Sequence, residues 1–216
     1  MTKIKACVFD LDGTISNTIN SIAYFANNAL AKYGFPPIET EKYKYFVGDG
    51  ADTLVRRMMA EVGEDSEEIF ENVLEYYNTT YDNDFMYLTH VYDGIPETIS
   101  TLKEKGIKIA VVSNKPHPTT IKVINELFGE NYFDLCYGNR PGVPKKPDPS
   151  PLLDVINTLG VEKDECLYIG DTSTDMKTGK GAGLFTIGVL WGFRDENDLT
   201  LADTIISHPS EILNYI

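Results

Sequence analysis

Basic side chains are scarce in this sequence. Its 216 residues carry 19 Lys and Arg against 33 Asp and Glu, a formal net charge of −14. A surface that acidic repels the anionic backbone of nucleic acids, so nucleic acid is not an expected partner. Long apolar runs are missing too. None approaches the ~20 residues needed to cross a bilayer, and the opening Met1-Thr2-Lys3-Ile4-Lys5 enters a short apolar segment that stops at Asp10 rather than an export signal. A cytoplasmic protein without a membrane partner is the expectation. Cysteine is equally sparse: Cys7, Cys136 and Cys166 form neither a Cys-x-x-Cys pair nor an even set, which excludes a disulfide framework and leaves them as reduced packing residues. The three histidines, His90, His117 and His208, lack the spacing of a metal site.

What is present is a rhythm that changes along the chain. Residues 4–9 form a short apolar run of strand-forming composition that ends in Asp10-Leu11-Asp12-Gly13-Thr14. From Ile19 to Tyr33 the apolar residues fall at helical spacing, and Gly34 with Pro36-Pro37 ends the run. Further helices are expected after Thr40, over Ala51–Val62 and after Ser66, with Thr40 and Ser66 as candidate caps. No strand is expected between residues 16 and 85. After Tyr92 helices and strands alternate: helix to Lys105, strand 107–112, helix 119–127, strand 133–137, helix 151–159, strand 166–169, a short helix, strand 185–189, strand 204–206 and a last helix from Pro209. Alternation of this kind implies right-handed crossovers and a parallel sheet covered on both faces. The fold class is therefore α/β, a Rossmann-like parallel core formed by 1–15 and 86–216 and interrupted by an all-helical insertion over 16–85.

In an open parallel sheet ligands sit beyond the carboxyl ends of the strands. Three predicted strand ends deliver polar groups there: Asp10 and Asp12 with Gly13-Thr14, then Ser113-Asn114, then Gly170-Asp171 followed by Asp175. Carboxylates crowded at one edge repel unless a cation neutralises them, and an all-oxygen cluster suits a hard ion such as Mg²⁺. Lys145-Lys146-Pro147-Asp148-Pro149 adds a stiffened loop with a lysine just before a helix. A lysine beside Mg²⁺ attracts phosphate.

Phe9-Asp10-Leu11-Asp12-Gly13-Thr14, Ser113-Asn114, Lys146-Pro147 and Gly170-Asp171-Thr172-Ser173-Thr174-Asp175 resemble, in order, the four motifs of the haloacid dehalogenase superfamily of phosphohydrolases. The helical insertion, Val47-Gly48-Asp49-Gly50-Ala51 within it, and Asn114-Lys115-Pro116 resemble the phosphoglycolate phosphatase-like members. The resemblance implies an α/β core with a helical cap domain and a Mg²⁺-dependent phosphatase acting on a small phosphorylated metabolite. Asp10 is then the nucleophile that forms an aspartyl-phosphate. Asp12 is then the acid that protonates the leaving oxygen and the base that later activates water, and it has to arrive protonated with its neighbours' help. Mg²⁺ would be held by Asp10, the backbone carbonyl of Asp12 and Asp171, with Asp175 in or near the layer just outside these ligands. Thr14, Ser113, Asn114 through its N–H, and Lys146 would contact the substrate. Gly48, Gly50, Arg56 and Arg57 carry no readable role, and neither does the oligomeric state.

One departure and several rivals frame that reading. Family members often carry an acid near position 17, where this chain has Ser16-Asn17-Thr18. A sugar phosphomutase like β-phosphoglucomutase is expected to carry a histidine on the first cap helix, and none occurs between Ser16 and Tyr33. Inorganic pyrophosphatase activity fits the same motifs. Dehalogenases and phosphonatases lack an acid where Asp12 stands. A noncatalytic binding module has no need for both a nucleophile and an acid.

Overall fold

The computed structural model of the chain describes residues 3–216. Along the chain β1 (Ala6–Phe9) and a two-residue β2 (Ser16–Asn17) precede four helices, α1 (Ile19–Lys32), α2 (Thr40–Phe46), α3 (Ala51–Glu61) and α4 (Glu67–Asn83). The two-residue β3 (His90–Val91) pairs with β2. Then follow α5 (Ile95–Glu104), β4 (Lys108–Pro116), α6 (His117–Phe128), β5 (Leu135–Asn139), α7 (Ser150–Leu159), β6 (Cys166–Gly170), α8 (Ser173–Ala182), β7 (Phe185–Val189) and β8 (Thr204–Ile206). A 3-10 helix, Pro209–Tyr215, ends the described chain where the sequence suggested an α-helix.

Two compact units result. One comprises the segments up to Asn17 and from Val91 onward; the other is Thr18–His90. The divisions fall at 17/18 and 90/91 rather than at 15/16 and 85/86. The reason is the short pair β2 and β3, which the sequence reading passed over because two residues show no periodicity.

In the α/β unit the six-stranded sheet has the order β5-β4-β1-β6-β7-β8, every registered pair parallel. The chain starts in the middle and winds outward first one way and then the other, so the direction reverses between β1 and β6. The four residues of β1 are buried on both faces, as a central parallel strand requires. Ala6 and Val8 pack with Ala110, Val112, Cys166 and Tyr168 against Leu152, Val155, Ile156 and Leu159 of α7. Helix α7 has these residues at i, i+3, i+4 and i+7, and Gly160 in the left-handed conformation (φ 66°) ends it. Cys7 and Cys166 are buried, Cys136 partly so, and all three thiols are free.

In the helical unit Ser66 caps α4, its hydroxyl accepting the Ile69 N–H at 3.4 Å. Thr40 does not cap α2 but is its first residue, with Glu39 in the capping position. Among the described residues no helix is long and apolar enough to cross a membrane.

Candidate active site

The reversal between β1 and β6 opens a crevice at their carboxyl ends, the place where such sheets bind ligands. Asp10 follows β1, and its N–H donates to the Ile169 carbonyl of β6 at 2.9 Å. The chain then turns tightly. The Leu11 carbonyl accepts the N–H groups of Thr14, Ile15 and Ser16 at 3.3, 3.0 and 3.0 Å, while Leu11 and Ile15 are buried as anchors. Gly13 has φ 90°, and a Cβ there would collide with the Asp171 carboxylate. Only glycine satisfies both constraints.

Lys146 is the cation of this edge, its side chain 2% exposed, with Nζ 2.8 Å from Asp10 Oδ1 and 2.7 Å from Asp175 Oδ1. Its backbone is clamped by Asn114, whose Nδ2 donates to the Lys146 carbonyl (3.0 Å) and whose Oδ1 accepts the Lys146 N–H (2.9 Å). Lys145, the alternative in the sequence, is partly exposed. Asp175 is the third residue of α8 and forms a capping box with Thr172. Both of its oxygens are engaged: Oδ1 accepts from Lys146 and from the Tyr168 hydroxyl (2.9 Å), Oδ2 from the Thr172 N–H (3.1 Å) and hydroxyl (2.5 Å). Asp171 accepts the Thr14 hydroxyl at 3.2 Å and the Phe193 N–H at 2.8 Å.

These environments split the three buried acids. Burial, with Asp175 nearby, raises the Asp10 carboxyl well above the ordinary range even though Lys146 opposes it. Burial and Asp175 likewise push Asp171 up to about 7. For Asp175 burial acts upward too, but Lys146, Thr172 and Tyr168 outweigh it and hold the carboxyl low. Lys146 would lose its proton more easily through burial alone, yet Asp10 and Asp175 keep it charged.

A divalent cation fits the donor set. Carboxylate oxygens of Asp10, Asp171 and Asp175 lie within 4.8 Å of one another, all three residues buried. Asp10 Oδ1 is buried, and the close neighbour shown for it is the Lys146 ammonium at 2.8 Å. An all-oxygen cluster of buried carboxylates suits Mg²⁺. Each Asp175 oxygen already accepts two hydrogen bonds, whereas each Asp171 oxygen accepts one and keeps a lone pair for an ion.

Of the other residues singled out in the sequence, Ser113 and Asn114 lie buried at the end of β4, and the Ser113 hydroxyl accepts the Lys115 N–H at 3.2 Å. Thr14 is fully buried and its hydroxyl donates to Asp171 at 3.2 Å, so this side chain orients an acid. Asp12 lies outside the carboxylate triad, and Lys115 Nζ stands 3.2 Å from both of its oxygens. The charged neighbour shown beside Asp12 is thus a cation and not another acid.

The sequence reading missed four contributors. Lys115 was noted only as part of a resemblance. Tyr168 is in line with Gly170 on β6, and its hydroxyl reaches Asp175. Phe193 acts through its backbone, which no side-chain pattern reveals. Trp191 donates its Nε1–H to the Thr14 carbonyl at 3.0 Å. In the helical unit Arg57 donates to the Phe46 carbonyl (2.8 Å) and pairs with Asp49 (2.6 Å), tying the Gly48–Gly50 loop to α3. Arg56 pairs with Glu67 at the surface and stacks over Phe70.

Known proteins resemble this chain over most of its length. The family described as haloacid dehalogenase-like hydrolase matches residues 7–189. The phosphoglycolate phosphatase of Aquifex aeolicus is 31% identical over 210 residues, 97% of this chain and 95% of that protein. Phosphoglycolate phosphatase 1 of Pseudomonas aeruginosa is 33% identical over 192 residues, 88% of this chain and 70% of its own length. A crystal structure provisionally assigned as a phosphoglycolate phosphatase, from Lactobacillus delbrueckii subsp. bulgaricus, superimposes with a TM-score of 0.92 at 30% identity, covering 100% of this chain and 99% of the other. A family match over residues 7–189, with a relative 31% identical along nearly the whole length, places this chain in the haloacid dehalogenase-like hydrolase family.

Proposed function

We propose that this phosphoric monoester hydrolase is a Mg²⁺-dependent phosphatase acting on a small soluble ester of the 2-phosphoglycolate type through an aspartyl-phosphate. The observation that carries the reading is Asp10 itself. It is a buried carboxylate at the sheet reversal, with a lysine 2.8 Å away. In this reading Asp10 attacks phosphorus in line and the substrate alcohol leaves. Asp12, at the next turn, gives its proton to the leaving oxygen and later takes one from the water that hydrolyses the aspartyl-phosphate. Ser113, the Asn114 N–H and Lys146 bind the phosphoryl oxygens, where charge redistributes most in the transition state. Asp10, the Asp12 carbonyl and Asp171 are the residues to hold Mg²⁺, which supplies charge neutralisation at the transferring group. Asp175 works one layer out, holding Lys146 and the start of α8. The helical unit is assigned the part of a cap that carries specificity. The relatives named phosphoglycolate phosphatase support the choice of ester.

The test is phosphate release from 2-phosphoglycolate, pyrophosphate and hexose phosphates, with Mg²⁺ and with chelator. Asp10→Asn is expected to lower kcat on the preferred ester by at least about 10³-fold while circular dichroism stays unchanged. Full activity in Asp10→Asn would overturn the reading, and isomerisation of a sugar phosphate without free phosphate would replace it with a mutase.

A further inference from the structure

Trp191 has no part in the chemistry just described, yet from the loop after β7 its indole N–H reaches the turn that follows β1, donating to the Thr14 carbonyl at 3.0 Å. Thr14 is fully buried, so its carbonyl needs a donor, and the indole supplies one. The Thr14 hydroxyl in turn donates to Asp171 Oδ1 at 3.2 Å. Two residues past the indole, the Phe193 N–H donates to Asp171 Oδ2 at 2.8 Å. Between them Gly192 is packed onto the site: a Cβ there would stand 2.3 Å from Asp171 Cβ and 2.4 Å from the Gly13 carbonyl oxygen. These contacts close a ring, from Trp191 to Thr14 to Asp171 to Phe193 and back along the chain. Neither Asp171 oxygen can turn without breaking a bond of that ring.

We propose that Trp191 is a positioning residue: acting through Thr14, it fixes the orientation in which Asp171 receives the divalent cation. The proposal rests on the phosphatase reading, in which Asp171 is a ligand of Mg²⁺. One hydrogen bond on each Asp171 oxygen sets the plane of the carboxylate and leaves a lone pair on each for the ion. Mg²⁺ demands near-octahedral geometry and tolerates misaligned ligands poorly. Groups that orient a ligand without touching the metal are accordingly worth about 10- to 100-fold in affinity. The two bonds on Asp171 differ in what secures them. The Phe193 donor is main chain, held by the loop itself, whereas the Thr14 donor is a side chain on a separate turn. Trp191 ties that turn to the same loop. Packing alone makes no use of an indole N–H directed at a buried carbonyl; phenylalanine would fill most of the same space and leave the carbonyl without this donor.

The experiment titrates Mg²⁺ by calorimetry into the wild type, Trp191→Phe, Thr14→Val, Thr14→Ser and the double variant Trp191→Phe/Thr14→Val. Trp191→Phe is expected to bind Mg²⁺ about 10-fold more weakly. Thr14→Val should lose at least as much, and Thr14→Ser, which keeps the hydroxyl, should stay close to the wild type. The double variant should bind no worse than Thr14→Val, because both changes act along one path. A merely structural tryptophan would lower the unfolding midpoint and leave the Mg²⁺ affinity of the folded protein where it was. That result overturns the proposal, and so do additive losses in the double variant. The chain has a single tryptophan, so the wild-type emission tests the coupling even if Trp191→Phe fails to fold. Saturating Mg²⁺ should shift that emission with the calorimetric midpoint, and an emission unmoved by bound Mg²⁺ overturns the coupling. No Mg²⁺ binding by the wild type removes the metal reading itself, whereas unchanged affinity in Trp191→Phe removes this proposal alone.

Discussion

The two units of this protein use charge in opposite ways. In the helical unit the ion pairs lie at the surface: the Arg56 and Glu67 side chains are 55% and 63% exposed, and Lys42 with Glu61 and Lys44 with Glu41 are similarly open. At the sheet edge Lys146, Asp10, Asp171 and Asp175 are all buried. Exposed pairs gain little, because water and salt screen them. Buried charges lose their hydration, and mutual attraction repays that loss only with close geometry and further hydrogen bonds. Tyr168, Thr172, Thr14, Asn114 and the Phe193 N–H provide those bonds here. The contrast teaches that the α/β unit tolerates a strained electrostatic arrangement at one edge, which is where a cation and a phosphate would be welcome. It also qualifies the net charge of −14. Global repulsion fades over about 8–10 Å at ordinary salt, so a local excess of acid can attract, through a cation, what the whole surface repels.

The contrast breaks most visibly at Lys146. Lys146→Met leaves Asp10 and Asp175 facing each other without their cation and is expected to lower stability by about 3–5 kcal/mol, measured by denaturant unfolding of the metal-free protein. A loss below about 1 kcal/mol would show that the edge is no more demanding than a surface pair.

A smaller effect follows from pH. Asp10 and Asp171 have raised folded-state values, the second up to about 7. An acid raised on folding contributes stability below its unfolded value and loses it as pH rises through the folded one. The metal-free protein should therefore lose stability through Asp171 between about pH 4 and 7, and through Asp10 as pH climbs above the ordinary carboxyl range, while Asp175, which is lowered, acts only at the acid end. Binding Mg²⁺ requires the ionised carboxylates, so its affinity should weaken below pH 7 by roughly tenfold per pH unit for each proton displaced. Titration calorimetry at several pH values checks this, and a pH-independent affinity would refute it.

The smallest effect belongs to the helical unit. Arg56→Ala, which removes an exposed pair and a stacking contact on Phe70, should barely move the unfolding midpoint at low salt and not at all at high salt. A large shift would erase the distinction between the units.

Legibility in the sequence followed locality. The strands and most helices were readable because burial imposes a period of 2 or 3.6 on neighbouring residues. Ser66 announced α4 because a cap acts over three residues. Residues 16–17 and 90–91 did not announce β2 and β3, since their pairing joins segments far apart in sequence. Asp175 shows how two readings can both hold: it closes a local capping box and also anchors Lys146. The Thr14 contact with Asp171 is not legible locally, because the two residues follow strands far apart in sequence.

By itself, the sequence determined the alternating architecture, the helical insertion and the order of the four polar motifs at the strand ends, all of which depend on short-range patterns. Tertiary structure alone decided which lysine enters the crevice, that Asp175 is saturated while Asp171 keeps a lone pair on each oxygen, that Thr14 serves Asp171, and that Lys115 rests on Asp12. The physical reason is the reversal of strand order at β1 and β6. It brings residues 10, 146 and 171 to one edge, and in that buried place each hydrogen bond is settled by position and not by residue type.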